Sequence, residues 1–262
     1  LAPVDSVAPE SDYWDDMLAA KLIGTTNTTF AIPRRNYATT SAFDMYRHDI
    51  SGTTTTGNYP SKTTTSSGAT SVYDSTYYFM TSAYRVYKVL YNGDPTQTGA
   101  TNISGAEPTS EQNGPFWHDA NYYLKYMYSL TTSEVQNFLT TDFIPVTITA
   151  NSAANRPINV VMVTSGGSSY PNGTFYTKVR GDGTTTAIIK LVVSGGTIQE
   201  FGDGAAYTSM QNAGVGYSFA TVDLSGTNIF TDTAATSAIS GATLTSWNNA
   251  TAGAITAMIE PT

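Results

Sequence analysis

The sequence contains no cysteine in its 262 residues. That absence excludes disulfides, zinc–thiolate sites, iron–sulfur clusters and cysteine nucleophiles. Charged residues are scarce as well, at 12% of the chain, where ordinary soluble domains carry roughly a quarter. Basic residues are outnumbered by acidic ones, 12 against 20, and their longest run is the pair Arg34 and Arg35. A protein that binds nucleic acid needs a basic surface to displace counterions, so we expect no nucleic-acid partner.

Long apolar segments are also missing. No run approaches the roughly 18 apolar residues of a membrane-spanning helix, and no charged start followed by an apolar stretch marks a signal peptide. The sequence therefore predicts no insertion into a membrane. Its first residue is Leu1 rather than methionine, which leads us to expect a processed or trimmed product.

Hydroxyl groups supply the polarity that charges do not. The chain contains 44 Thr and 25 Ser, together with 22 Gly, 18 Tyr and 10 Phe. Thr and the aromatic residues fit the pleated surface of a sheet, and Gly fits tight turns. Hydrophobic residues make up 40% of the chain, which is enough for a substantial core. The composition predicts a mostly β protein and argues against a helix-rich enzyme.

Two segments have the pattern of short helices. Residues 11–22 place apolar side chains at helical spacing and acidic side chains in the first turns, where the helix dipole favours them. Residues 131–139 begin with Thr131 and Glu134, which have the spacing of a capping box. We expect each helix to pack on a sheet.

Strand and loop patterns fill the rest of the first 149 residues. Residues 77–80 and 84–91 are aromatic and β-branched, which predicts a hairpin. Residues 122–130 alternate regularly and give the clearest strand pattern in the chain. Residues 51–71 and 92–115 contain few apolar side chains or many Gly and Pro, so they predict long loops.

Composition changes near residue 150. Residues 1–149 hold 14 of the 18 Tyr and predict a tyrosine-rich mixed β core domain with two short helices. Residues 150–226 predict a glycine-turn domain, and residues 227–262 predict C-terminal strands, with a return to the first domain as one option. The strands of the second unit are expected at 158–164, 174–180, 187–193, 197–201 and 218–224. Such regular spacing indicates a sandwich or a barrel, and we interpret both larger units as antiparallel β-sandwich domains.

A weak internal repeat is visible in the second unit. Residues 166–170 (GGSSY) are echoed by residues 214–217 (GVGY), and each copy precedes a predicted strand. The glycines of such turns supply positive backbone φ angles and need not bind a ligand.

Nothing in the sequence assembles into a catalytic constellation. The two histidines, His48 and His118, lack metal-ligand spacing, and we interpret them as surface or core residues. No nucleophile elbow, Walker loop or dinucleotide fingerprint occurs, and Ser is too abundant for its count to decide on a Ser-His-Asp triad. The best enzymatic candidate is a pair of glycosidase carboxylates, drawn from Asp15, Asp16, Asp44, Glu107, Glu111, Asp119 and Asp142.

These acids lie on the first predicted helix or in turn-rich segments, where carboxylates cap and close turns. We therefore interpret them as structural and expect no catalytic residue, no metal site and no cofactor. The tripeptide Arg180-Gly181-Asp182 matches a cell-adhesion motif, and we interpret it as a turn at a strand end.

Several segments of the first unit occur in an order and spacing known from one family. They are residues 78–82 (YFMTS), 86–88 (VYK), 122–128 (YYLKYMY) and 138–146 (FLTTDFIPV), with upstream segments at 13–18, 32–37 and 44–46. This pattern resembles the baseplate wedge protein of T-even-like contractile-tail bacteriophages, the product of gene eight. The glycine turns around residues 166–183 are similar to its β-rich downstream part in phages of marine cyanobacteria. The resemblance covers most of residues 10–225, and we expect the chain to lack both ends of the longer family members.

The resemblance implies a non-enzymatic structural protein of the virion, located in the tail baseplate and assembled in the host cytoplasm. Its implied partners are a second copy, in a homodimer, and other baseplate wedge subunits, whose contacts rearrange when the tail contracts. We expect the tyrosine-rich segments 77–91 and 122–128 at the structural centre of the first unit. We place interfaces on the loops 51–71 and 92–118, since assembly needs wide surfaces rather than a reactive cleft.

Two other functions fit the composition. A carbohydrate-binding or depolymerising tail adsorption protein would need exposed aromatic residues around a groove, with Trp117 and Trp247 as candidates. A secreted lectin or adhesin shares the composition but is disfavoured by the family resemblance.

Overall fold

The computed structural model describes residues 24, 27–46, 67, 69–93, 103, 105–119, 122–146 and 156–259. Its elements in chain order are β1 (Phe30–Pro33), β2 (Tyr78–Met80), β3 (Arg85–Tyr91), β4 (Phe116–His118), β5 (Tyr122–Ser129), α1 (Thr132–Phe138), β6 (Phe143–Val146), β7 (Ile158–Ser165), β8 (Gly173–Gly181), β9 (Ile188–Ser194), β10 (Thr197–Ile198), β11 (Ser209–Asn212), β12 (Ala220–Val222), β13 (Ile229–Phe230), α2 (Gly241–Asn248) and β14 (Ala254–Ile259). These strands pair antiparallel. The predicted mostly β class with two short helices is thereby confirmed. No helix in this part of the chain is long and apolar enough to cross a membrane.

The two helices differ in how well the sequence predicts them. Helix α1 begins as expected, since the Thr131 hydroxyl accepts a hydrogen bond from the Glu134 N–H at 3.2 Å and the Glu134 carboxylate accepts one from the Thr131 N–H at 2.8 Å. The predicted helix at 11–22 lies outside the described residues. Helix α2 lies instead within 227–262, where strands were expected. It is rich in Thr and Ser, which are weak helix formers, and the burial of Trp247, 2% exposed, anchors it.

The predicted hairpin of the first unit is confirmed as β2 and β3. They belong to a four-stranded sheet of order β2-β3-β5-β4, and the long alternating segment forms β5. The tyrosine-rich segments therefore lie on adjacent strands. One face of the sheet is covered by Phe43 and Ile103, which pack with Phe79, Tyr87 and Tyr122.

A two-stranded ribbon, β1 paired with β6, covers the opposite face. Ile144 of β6 is fully buried there. Two tyrosines of the sheet fasten the ribbon, because the Tyr78 hydroxyl donates to the Pro33 carbonyl at 2.6 Å and the Tyr128 hydroxyl donates to the Pro145 carbonyl at 3.0 Å. Each ring thus fills the core while its polar end is satisfied.

We call residues 156–259 the second half of the chain. The strands expected there at 158–164, 174–180 and 187–193 are confirmed as β7, β8 and β9. The segments 197–201 and 218–224 form only the shorter strands β10 and β12. The sheet order is β10-β9-β8-β12, with β11 also pairing with β9 and β13 with β8. β14 pairs with β7, β11 lies beside β7, and β12 lies beside β14. These strands surround one apolar core formed by residues such as Val161, Phe175, Leu191 and Ile229.

Four aromatic rings join the two halves of the chain. Tyr91, Trp117 and Tyr123 come from β3, β4 and β5, and Phe201 follows β10. The Phe201 ring centroid lies 5.1 Å from that of Tyr91, 5.5 Å from that of Trp117 and 5.8 Å from that of Tyr123. Phe201 is 3% exposed. The four-stranded sheet and the second half are therefore packed together through this aromatic cluster.

The weak sequence repeat has a structural counterpart. Its two copies end at Tyr170 and Tyr217, which are both buried. Each hydroxyl accepts a hydrogen bond from a backbone N–H, that of Gly253 for Tyr170 at 2.8 Å and that of Ala187 for Tyr217 at 2.7 Å. The repeated glycine turns place a tyrosine in the core in the same way twice, which is a structural role.

Candidate functional site

Three of the candidate carboxylates, those of Asp44, Glu107 and Glu111, connect separate segments of the fold. Asp44 is the most buried of them, at 1% exposure. Its carboxylate accepts hydrogen bonds from the N–H and hydroxyl of Thr76, at 2.7 and 3.1 Å, and from the N–H of Ser67 at 3.0 Å. Asp142 is exposed, and its carbonyl accepts the Arg34 N–H at 2.7 Å. Asp15 and Asp16 lie outside the described residues.

Glu107 and Glu111 hold residues 105–115, which we call the strap, against the turn between β2 and β3. The Glu107 carboxylate accepts the Ser82 N–H at 3.0 and 2.9 Å and the Ser82 hydroxyl at 2.6 Å. The Glu111 carboxylate forms an ion pair with Arg85 at 2.5 Å. The described part of the predicted interface loop 92–118 is thus docked on the sheet.

Two tyrosines fix the strap from below. Burial raises the pKa of Tyr87 to about 12, so its hydroxyl stays protonated and donates to the Ser110 carbonyl at 3.0 Å. The Tyr37 hydroxyl contacts the Gly105 carbonyl at 3.3 Å. The other predicted interface loop, 51–71, lies almost wholly outside the described residues.

A cleft of about 340 Å³ separates the strap from β4, and it brings together three residues that the sequence singled out: Glu107, His118 and Asp119. Burial lowers the pKa of His118 below its usual value of 6.5, although Asp119 and a backbone hydrogen bond at Ala106 act in the opposite direction. The buried Nε2 atom of His118 has no hydrogen-bond partner in the structure.

This arrangement lacks the contacts of a reactive centre. Because Nε2 of His118 meets no hydroxyl, it forms no nucleophile–base pair. Each oxygen of Glu107 accepts a hydrogen bond from Ser82. Within the described part of the chain, no group of three or more His, Asp or Glu side chains could hold a metal ion.

The charged side chains of the adhesion-like tripeptide are exposed and have partners within the chain. Arg180 pairs with Asp223 at 2.6 Å. The Asp182 carboxylate accepts hydrogen bonds from the Ser218 N–H at 2.8 Å and the Phe219 N–H at 3.3 Å, and also from the Ser218 hydroxyl. Both charged side chains therefore have intramolecular partners. The turn interpretation is wrong for Arg180 and Gly181, which are the last residues of β8 and pair with β12, and only Asp182 follows the strand.

The tryptophans that a carbohydrate-binding function would use do not present free rings. Trp247 is buried in the core of the second half, with its ring centroid 4.6 Å from that of Tyr170. Trp117 belongs to the aromatic cluster with Phe201. Among the described residues, the large hydrophobic side chains that are exposed are Phe30, Tyr73, Tyr84, Met127, Phe143, Tyr207 and Phe219.

Tyr84 is a feature that sequence reasoning missed. Thr81 and Arg85 pair across the turn from β2 to β3, with the Thr81 N–H donating to the Arg85 carbonyl at 2.9 Å. They leave a three-residue loop whose last position is Tyr84, with φ of 59°. Glycine or asparagine usually occupies that position, and a bulky side chain there costs about 1–2 kcal/mol. The sequence does contain a signal for this feature, because the predicted hairpin turn has neither glycine nor asparagine.

A groove of about 280 Å³ opens beside this turn, and we call it the Tyr84 groove. Its lining residues are Arg34, Asn36, Tyr37, Met80, Thr81, Ser82, Tyr84 and Glu107. Tyr84 is 39% exposed at its edge. The groove therefore combines an aromatic ring with polar groups of both hydrogen-bonding types.

Comparison of the chain with protein-family models, with curated proteins and with solved structures finds no match. The resemblance to the baseplate wedge family therefore stays a prediction, based on the segments quoted above.

Proposed function

We propose that this protein is a structural subunit of a phage tail baseplate wedge. In this role it links neighbouring wedge proteins during baseplate assembly, acts as a homodimer in the virion, and changes its contacts when the tail contracts. It performs no catalysis.

The proposal is supported chiefly by where the family-like segments lie. Residues 78–82 and 86–88 fall on β2 and β3, residues 122–128 fall on β5, and residues 138–146 run from the end of α1 through β6. These four segments form a continuous block, since β2 pairs with β3, β3 pairs with β5, and the β1–β6 ribbon covers them. A resemblance concentrated in one packed block is what a shared scaffold predicts.

The described surface also suits an assembly role. Phe30 is 70% exposed and Phe143 is 45% exposed, and both lie on the β1–β6 ribbon. The ribbon itself is fastened to the sheet, so these rings are held on a rigid support. Exposed aromatic residues on a rigid support are typical contact points of protein interfaces.

The test is the composition of purified tails. We expect mass spectrometry of tails from the source phage to find this chain in a fixed ratio to the other wedge proteins, and particles that lack it to stop before a complete baseplate. A chain absent from tails, or present in a variable ratio, would refute the proposal. Tails carrying Phe30→Ser test whether the β1–β6 ribbon contacts a neighbouring protein. Phe219→Ser changes an exposed ring of the second half and is the matched control.

A further inference from the structure

We propose that the Tyr84 groove is a saccharide-binding site, in addition to the structural role and independent of it. The starting point is the cost of keeping Tyr84 where it is. A glycine would relieve the left-handed backbone, yet this position carries a tyrosine that is 39% exposed and whose ring stacks on no other aromatic ring among the described residues. A ligand that packs on the exposed part of this ring would explain why the turn keeps a strained tyrosine.

The walls of the groove are organised before any ligand arrives. Arg34 donates from Nε to the Asn36 side-chain oxygen at 3.0 Å and from Nη1 to the Thr140 carbonyl at 2.9 Å. Two of the five guanidinium donors are thereby used, and the others remain for a ligand together with the amide N–H groups of Asn36. The Glu107 carboxylate is held by Ser82 and still has lone pairs that accept hydrogen bonds.

The chemistry of these walls points to hydroxyl groups. A hydroxyl both donates and accepts, so it can bond to Arg34 or Asn36 and to Glu107 at once. An acidic peptide would be attracted by Arg34 but repelled by Glu107. A basic peptide would be attracted by Glu107 but repelled by Arg34. The two opposite charges thus favour an uncharged polar ligand. A ring such as Tyr84 supplies the flat apolar surface on which the C–H face of a sugar packs.

The dimensions agree with a small ligand. The volume, about 280 Å³, is just below the usual range of ligand clefts, which is roughly 300–1,000 Å³. It suits a single sugar ring of a longer surface polysaccharide and is too small for a partner helix. The floor is formed by the buried residues Met80 and Thr81, so the site is supported by β2.

The experiment uses the full chain on an array of bacterial surface polysaccharide fragments, followed by calorimetry with the free oligosaccharide that binds best. We expect Tyr84→Gly to weaken binding about tenfold or more, in a variant whose melting temperature shows that it still folds. Asn36→Ala, which leaves the turn intact, should also weaken binding. Tyr207→Asn changes an exposed tyrosine outside the groove and should bind as the unaltered chain does.

Three results would overturn the inference: no fragment bound by the unaltered chain, an unchanged dissociation constant in Tyr84→Gly, or an unchanged one in Asn36→Ala. If no fragment binds and Tyr84→Gly instead removes a neighbouring protein from assembled tails, the groove holds a protein segment. The binding results do not depend on whether the chain is a wedge subunit, and only the experiment on assembled tails does.

Discussion

The phenolic oxygen of Tyr217 accepts a hydrogen bond from the backbone N–H of Ala187 at 2.7 Å, and neither residue reaches solvent. Ala187 lies just before β9, and its carbonyl accepts the N–H of Val179 on β8. The tyrosine hydroxyl thus satisfies a backbone donor at the point where the strand ladder of β8 and β9 ends.

Tyr217→Phe should therefore destabilise the protein, although it removes a single oxygen atom. The buried N–H of Ala187 would be left without a partner, which costs about 1–3 kcal/mol. The free energy of unfolding from urea titration measures the loss. Tyr207→Phe, at a 45% exposed position, is the control and should change little, and an equally small loss in Tyr217→Phe would contradict this account.

Tyr217 also shows which features of the fold can be predicted from the sequence. The repeat of residues 166–170 at 214–217 is readable in the sequence, and it does mark two equivalent tyrosines. Regular alternation likewise predicts β5, and residue spacing predicts the capping box of α1, because these patterns depend on neighbours close in the chain. Local chemistry is sufficient for such elements.

Other features depend on contacts between distant segments, and the sequence does not show them. Helix α2 has weak intrinsic propensity and forms because Trp247 is buried against Tyr170. The strap is irregular in sequence and is ordered by Glu107 and Glu111, which meet Ser82 and Arg85 only in the folded chain. The Tyr84 groove was missed for the same reason, since its walls come from three separate segments.

Phe201→Ala tests whether the aromatic cluster couples the two halves. The substitution removes a ring that packs against Tyr91, Trp117 and Tyr123, and we expect a loss of about 3–5 kcal/mol in the free energy of unfolding. Chemical denaturation followed by tryptophan fluorescence should show it. Phe219→Ala, at a 58% exposed ring, is the matched control, and equal losses in the two variants would argue against the coupling.

The carboxylate of Asp182 should make the stability of the fold depend on pH in the acid range. Hydrogen bonds from Ser218, with a further one from Phe219, lower the pKa of Asp182 from 3.8 to about 2. Because the folded state favours the carboxylate, the stabilisation is fully present above about pH 5 and is lost as the pH falls from about 4 through 2.

Asp182→Asn should consequently lower the free energy of unfolding at neutral pH, and its stability should fall less steeply in acid than that of the unaltered chain. Urea titrations at a series of pH values between about 2 and 7 measure both effects. Asp203→Asn removes an exposed carboxylate to which none of the described residues donates a hydrogen bond, and it provides the control. Parallel acid profiles for Asp182→Asn and the unaltered chain would rule out this role.

Glu107 and Glu111 allow the two fastenings of the strap to be ranked. Glu111 and Arg85 form a partly exposed ion pair, which is worth about 0–1 kcal/mol. Glu107 instead receives a backbone N–H and a hydroxyl from Ser82, and charge-assisted bonds of this kind are about twice as strong as neutral ones. We therefore expect Glu107→Ala to raise amide hydrogen exchange over residues 105–115 more than Glu111→Ala does, with exchange in β5 unchanged in both.

A third variant, Glu107→Gln, keeps an oxygen that accepts a hydrogen bond and should give an intermediate exchange rate. If Glu111→Ala loosened the strap as much or more, the ion pair rather than the carboxylate–Ser82 contact would be the main fastening.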